Sequence, residues 1–464
     1  MNESIRHAGI DVLLGAIDGM AIRPDDLRAA GDLIADALAC IAGAQASESA
    51  RPALQWAQRQ PDSAQRSAFV LAALSNVLEM DAMHVASSVH PGTVVVPAAL
   101  AVAMAVEASG PDLARAVLRG TEAAIRLGRS TGVAHRQRFQ STSTCGGVGA
   151  ALACADLLGL TRGQSIDAMS NMASTAGGLW AFLEEDTLTK QWHAGRAAEG
   201  AVSAAQLAAE GFRGAHCVLD GKRGFLAVLC EGGNAAEWCM QRERWQIHDT
   251  AYKPWPSPRP THAAITAALS ARRAIAGAEI ERAVLRTYAM AVDLCNREAI
   301  VTAHDARFSL RYCAAVALAD GQVGFDSFEP AAIARHSALT SSIRVEESAQ
   351  MTADYPRLSR ASLEIVLADG RTVLEEVEHA LGDPGLPLSE IQRFEKQRAL
   401  LGLAALADDA EVRREVQSIA GSAENPARLL SRLLARAGIQ FVSGPSVAGR
   451  PTDLNDQGTS HEPG

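Results

Sequence analysis

LEIVLADGRTVLEEVE, residues 363–378, decides how this chain is read. Leu363, Ile365 and Leu367 alternate with other residues, Asp369-Gly370 follows, and alternation resumes from Val373. A D-G dipeptide between alternating runs is the strongest short-range signal for a β-hairpin. Toward the N-terminus, ERAVLRTYAMAV (281–292) alternates and predicts another strand, and SSIRVEES (341–348) is a further candidate. Helical patterns lie between them, near 309–319 and 329–336. Residues 265–392 therefore read as a separate α+β unit.

The flanking sequence is different. Pro24, Asp25 and Asp26 open a helix predicted to reach about Ala42, with Leu27, Ile34, Leu38 and Ile41 on one stripe. Further helices are expected near 67–82, 97–108, 112–127, 147–159, 164–175, 195–210 and 262–276, separated by Gly-rich breaks. Many are Ala-rich on every face, as expected of helices that bury one another. After GDPGLPLS (382–389) the pattern returns to helix, with starts at Ser389-Glu390 and Asn425-Pro426. The expected fold is mainly α with an α+β part. A large all-helical domain is built from both chain ends (1–264 and 393–443), a smaller domain (265–392) is inserted, and a disordered tail (444–464) follows.

Composition narrows the function. The chain has 464 residues, 48% hydrophobic and 21% charged, enough to bury a large core and too apolar for wholesale disorder. Its net charge of −10 and lack of any long basic run argue against nucleic acid as a partner. Eight cysteines are scattered without a C-x-x-C pair, so zinc ribbons and iron–sulfur clusters have no support, and reduced core cysteines of a cytoplasmic protein are expected. The start of the chain carries Glu3 and Asp11 and shows no secretory leader pattern. Val85 to Val106 holds no Asp, Glu, Lys or Arg, yet His90, Pro91, Gly92 and Pro97 make it a buried loop and helix rather than a membrane span.

Two glycine motifs are decoys. Gly128-Arg129-Ser130-Thr131-Gly132 fits G-x-S-x-G but follows a helical pattern where a nucleophile elbow needs a strand. Gly146-Gly147-Val148-Gly149 misses the dinucleotide spacing. Four other segments concentrate chemistry. DAMHVASSVHPGTVVVPAALA (81–101) puts Asp81, His84 and His90 into ten residues ahead of a helix expected at Pro97. TLTKQWHAGRAAEG (187–200) clusters Lys190, His193 and Arg196 just before an Ala/Gly-rich helix. KPWPSPRPTHAA (253–264) is a Pro-stiffened loop with Lys253, Arg259 and His262, at the expected domain boundary where ligand sites concentrate. DARFSLRYCAAVALADG (305–321) brings Arg307 and Tyr312 to a helix start.

In this order the segments resemble the MmgE/PrpD family, which includes 2-methylcitrate dehydratase, cis-aconitate decarboxylase and iminodisuccinate epimerase. The family's D-D-x-H…H-P-G…P-A-A-L-A stretch is matched by Asp81, His84, His90-Pro91-Gly92 and Pro97 to Ala101. Its T-K-x-x-H-x-G-x-A-A…G-F-x-G stretch is matched from Thr189 to Gly214, its K-x-Y-P-x-C-x-x-x-H loop by Lys253 to His262, and its A-R-x-S-x-x-Y helix start by Ala306 to Tyr312. A closing P-L-S…K element fits Pro387-Leu388-Ser389 and Lys396. The resemblance spans about residues 5–440. It implies a helical domain with an inserted α/β lid, a homodimer, a site between the domains, no cofactor and no metal. Four positions depart from the pattern: Gln140 stands for a histidine, Ala82 for the second aspartate, Trp255 for the loop tyrosine and Pro258 for its cysteine.

The substrates so implied are small polycarboxylates, bound by Lys253, Arg259, Arg307 and Lys190, with His84, Gln140 and His262 lining the pocket. The shared chemistry is proton movement beside a carboxylate, which needs fixed positive charge and a group that exchanges protons near neutrality. His90, His193 and Lys190 are the candidate acids and bases, Asp81 an orienting carboxylate, and Tyr312 a proton donor. The leading expectation is a 2-methylcitrate dehydratase-like lyase. An iminodisuccinate epimerase-like isomerase is next, favoured by Gln140, which cannot exchange protons. Decarboxylation follows, then a helical binding protein without activity.

Overall fold

The computed structural model describes residues 9–231 and 233–439; the predicted tail at 444–464 lies outside them. Helices dominate, and one four-stranded sheet accompanies them, so the chain is mainly α with an α+β part.

The apolar residues sort into two buried clusters. The larger one combines residues from Ile10 to Ile247 with residues from Leu400 to Ile439, so both ends of the described chain share it. Its centre is the helix Pro91–Ala105, in which every residue is buried. Around it pack Ala64–Ser75, Gly110–Ser130, Gly146–Leu157 and Thr189–Ala209. Such crowding is possible because the contacting residues are small. A Cβ on Gly120 would lie 2.6 Å from the Gly149 carbonyl, 2.9 Å from Ala153 Cβ and 3.0 Å from Val95 Cγ1, so three helices meet at one glycine. This is the physical meaning of Ala-rich helices with no polar face.

The central helix begins at Pro91, not at Pro97. Proline fits a first turn, where its missing N–H has no helical partner anyway, and the apolar run from Val94 continues that turn. Pro97 then sits inside the helix and leaves the Thr93 carbonyl without its usual donor. Ser75 Oγ of the neighbouring helix lies 3.4 Å from that carbonyl.

The second cluster runs from Trp255 to Ala380. Its sheet has the order β4-β3-β5-β6, where β3 is Ile280–Thr287, β4 Ile343–Glu347, β5 Ala361–Leu367 and β6 Thr372–Val377. β3 and β4 are parallel, and the other pairs are antiparallel. The hairpin falls where the D-G signal put it: Gly370 has φ of 85°, and Asp369 Oδ1 accepts from Arg371 N at 3.0 Å. The expected strand 281–292 is cut short. It ends at Thr287, and Ala289–Cys295 is helical, because Ala291 and Cys295 are four apart and bury one helical face. The helix His262–Ile275 covers β5 and β6. From the sheet the chain returns to the first core through Glu390–Leu403, which packs on Pro24–Ala44.

The glycine crossing gives a stability test. Gly120→Ala should cost about 1–3 kcal/mol through overpacking. Gly163→Ala, with nothing within 4 Å of its new Cβ, should stay within about 0.5 kcal/mol of the parent. Thermal and urea unfolding of both variants measure the contrast.

Candidate active site

The site starts at the end of helix Ala64–Ser75. The chain beyond it stays buried through Ala82, and Glu79 adopts a left-handed conformation with φ of 55°. Met83–His84 (β1) then pairs with Thr250–Ala251 (β2) in a two-residue antiparallel ladder, Met83 opposite Ala251. This ladder brings Lys253 beside the turn. Lys253 Nζ donates to Asp81 Oδ1 at 3.1 Å and lies 3.5 Å from Glu79 Oε2. Lys190, on the first turn of Thr189–Ala209, ion-pairs with Glu79 Oε1. Two carboxylates and two ammonium groups thus meet almost without water: Lys253 is 1% exposed and Asp81 2%.

Burial alone would keep both carboxyls protonated, and the lysines reverse this. The Lys253 charge, followed by His90, holds Asp81 well below the carboxylate range; Lys190 and then Lys253 hold Glu79 below its ordinary value. Lys253 responds in kind: burial disfavours its charge, but Asp81 and Glu79 raise its pKa.

His90 is the residue before the first turn of the central helix. Its Nδ1 lies 2.7 Å from Asp81 Oδ2, which also accepts from Thr93 Oγ1 at 2.8 Å. Its backbone N–H donates to Thr142 Oγ1 at 3.1 Å. With the Asp81 carboxylate this close to Nδ1, Nε2 is the ring nitrogen left free to meet a small molecule. The side chain remains 14% exposed, so a small molecule can reach it.

Lys190 and His193 belong to the helix itself, whose start is Thr189 rather than 195. Gly195 does not delay the helix; it admits the Phe69 ring, which a Cβ would meet at 2.7 Å. His193 Nδ1 lies 2.9 Å from Gln140 Oε1, with Phe182 edge-on at 5.6 Å, and burial lowers its pKa. Gln140 is fixed by its own N–H, which donates to Gly178 O at 2.9 Å. Arg307 approaches from the second core. Its guanidinium stacks 5.6 Å from the Phe328 ring, its buried Nε has no hydrogen-bond partner, and Glu79 is among the acids whose charge it feels.

Four predicted site residues are engaged elsewhere. His84 Nδ1 accepts from Ser87 N at 3.2 Å, and burial with the Arg129, Arg136 and Arg242 charges pushes its pKa down to about 3. Arg259 ion-pairs with Asp383, and His262 Nε2 is 3.1 Å from Ser257 O. Tyr312 donates its hydroxyl to Ser327 O at 2.5 Å, and burial raises its pKa. All four are buried, yet Arg259 Nη1 and His262 Nδ1 are buried atoms without a hydrogen-bond partner, and the Lys253 charge reaches His262. Conversely, Glu79, Thr93 and Thr142 join the site without having been expected. Glu79 lies two residues ahead of the matched motif, and the threonines are invisible until the fold closes. Among the described residues, no group of three or more His, Cys, Asp or Glu is arranged to hold a metal ion.

The ion pairs predict a pH signature. A carboxylate whose folded pKa is depressed stabilises the protein above its unfolded pKa, and that stability is lost as pH falls through the folded value. For Asp81 the loss starts near its ordinary 3.8 and extends lower. Asp81→Asn leaves Lys253 short of a partner in a dry site and should cost about 3–5 kcal/mol at neutral pH. The difference from the parent should shrink as pH drops below 3.8. Urea unfolding across pH 2.5–7, roughly the span set by linkage, measures it.

Comparison with known proteins agrees with this geometry. The MmgE/PrpD N-terminal domain model matches residues 20–238, and the C-terminal domain model matches residues 255–420. Among curated proteins, human cis-aconitate decarboxylase is 30% identical over 327 residues, covering 67% of each chain. The mouse cis-aconitate decarboxylase is 29% identical over 67% of this chain and 66% of its own. A cis-aconitate decarboxylase-like protein of Aspergillus oryzae is 26% identical over 80% of this chain and 82% of its own. With both domain models matched in order along one chain, and with Asp81, His90, Lys190 and Lys253 of the family's motifs gathered in one buried cluster, the chain belongs to the MmgE/PrpD family.

Proposed function

We propose that the chain is a cofactor-independent lyase acting on a small di- or tricarboxylate. The observation that carries this reading is the partly exposed His90, backed at Nδ1 by Asp81, which the buried Lys253 also meets, with Lys190 paired to the neighbouring Glu79. His90 Nε2 exchanges a proton with a carbon next to a substrate carboxylate. Negative charge developing there is stabilised by fixed cations in a dry site, where they act more strongly than in water. Arg307 supplies a carboxylate anchor. Its buried Nε has no partner, and burial lowers its pKa, so an anionic group restores what folding removed.

Two lyase reactions fit this site, and the first uses His90 as the base. In dehydration, His90 takes the α-proton, the electron pair forms the new C=C, and hydroxide leaves with a proton from Lys190 or His193. In decarboxylation, one of those acids protonates the alkene carbon, the carboxylate C–C bond breaks, its electrons form the shifted double bond, and carbon dioxide leaves. The likeness to cis-aconitate decarboxylases favours decarboxylation of an unsaturated tricarboxylate. The motif resemblance favours dehydration. Epimerisation needs only proton exchange at carbon, and Gln140 beside His193 suits that reading.

Proton NMR in heavy water with citrate, 2-methylcitrate, cis-aconitate, malate and iminodisuccinate separates them. A new olefin from a saturated hydroxy-acid identifies dehydration, and bicarbonate with a rearranged olefin identifies decarboxylation. Deuterium wash-in alone identifies epimerisation. His90→Gln should lower turnover about 10²–10⁴-fold, the usual weight of a general base, with its thermal midpoint close to the parent's. No exchange on any acid would overturn the lyase reading.

A further inference from the structure

Behind the cluster lies a second buried ion pair that the proposed chemistry does not use. Lys396, on the returning helix Glu390–Leu403, pairs with Asp36 on Pro24–Ala44. Its side chain is only 4% exposed, and that of Asp36 9%. A lone buried pair rarely adds net stability over apolar residues of similar size, so its place in the fold calls for another reason. Its geometry supplies one. Lys396 Nζ also donates to Met80 O at 2.8 Å, and Met80 is the residue between Glu79 and Asp81. The same ammonium lies 5.9 Å from the Tyr252 ring, and Tyr252 directly precedes Lys253. One cation therefore touches the backbone that carries both site carboxylates and the side chain next to the site lysine.

The local conformation makes this contact matter. Glu79 is left-handed at φ of 55°, a conformation that costs free energy for a residue with a Cβ and persists only where the surroundings hold it. That turn aims Glu79 and Asp81 at the same Lys253 nitrogen. Tyr252 is held as well, its N–H donating to Gly382 O at 2.9 Å.

We propose that Lys396 is a positioning residue of the active site. Through the Met80 carbonyl it locks the Glu79–Asp81 turn, and its pairing with Asp36 keeps it aimed while it does so. The C-terminal part of the chain thereby controls the orientation of Asp81 behind His90 without touching substrate. This inference rests on the lyase reading for its catalytic consequence, but the geometric claim can be tested without a substrate.

The test uses the full chain in three variants: Lys396→Met, Lys396→Met with Asp36→Asn, and Asp81→Asn as reference. The double variant leaves no unpaired buried charge, so it folds even where the single one is compromised. The first readout is the ring nitrogen NMR shift of His90, which reports the Asp81 contact at Nδ1. In the folded double variant it should move toward the Asp81→Asn position. The second readout is turnover of whichever acid the parent converts. It should fall about 10- to 100-fold in kcat, the scale of a roughly ångström misplacement of a catalytic group, with KM changed much less. A folded double variant with parental His90 shifts would overturn the proposal. Parental kcat beside displaced His90 shifts would also overturn it, since the contact would then not serve catalysis. If the parent converts no acid, the lyase reading fails, and the NMR readout alone decides the geometric claim.

Discussion

The structure depends on keeping four charges in a place nearly free of water. Glu79, Asp81, Lys190 and Lys253 come from three segments far apart in sequence, and no one of them is tolerable there alone. An isolated ion of this kind would neutralise by shifting its pKa or pull water inward. Instead each is met by an opposite charge within about hydrogen-bonding distance. The constraint reaches outward. The β1–β2 ladder must place residue 253 opposite the 79–81 turn, and the Thr189–Ala209 helix must begin soon enough to carry Lys190 to Glu79. Mispairing by one residue would leave a buried charge unmet.

The surrounding helices answer a complementary demand. A frame that holds charges to a few tenths of an ångström must not breathe, and a dense interior provides that stiffness. Glycine and alanine contacts such as Gly120 against Gly149 let the backbones approach closely, and the central helix has no exposed residue. The cost is that this helix offers no surface of its own. The proposed chemistry therefore sits at its start, where His90 precedes Pro91 and its side chain still reaches solvent.

Much of this was legible in the sequence, for local reasons. The D-G hairpin, the alternation of 363–367 and the Ala-rich helices are short-range signals, and the structure follows them. Errors arose where a local rule met a stronger one. Pro97 looked like a helix start because proline favours first turns, but Pro91 is a first-turn proline too and the apolar run bridges both. The helix expected from 195 starts at Thr189, and Gly195 inside it is a contact for Phe69. Within the site, Asp81, His90, Lys190 and Lys253 were readable because titratable residues stand out in apolar sequence. Tyr312, His84, Arg259 and His262 stood out equally, and each makes a local contact rather than joining the carboxylate–lysine cluster. Sequence spacing cannot separate these groups, because the distinction is which atom each side chain meets after long-range pairing. Glu79 was invisible for the same reason: its role depends on a left-handed turn that no glycine or asparagine announces.

The pairing of both lysines has a consequence for how a substrate enters. Lys190 and Lys253 are already matched by Glu79 and Asp81, so a substrate carboxylate gains little from them without displacing a protein carboxylate. Arg307 is different, since its buried Nε has no partner and the acids it feels lie at longer range. On the proposed lyase reading, the first strong contact of an incoming polycarboxylate would therefore be with Arg307. A second carboxylate can then compete with Glu79 for Lys190, whose side chain is 15% exposed, while Lys253 at 1% stays with Asp81. Such an order would keep the Asp81–His90 pair intact during binding, so that the proposed base would be oriented before the reacting carbon arrives. On the same reading the two cations would have different tasks: Lys190 would exchange partners with the substrate, and Lys253 would stay with Asp81 behind His90.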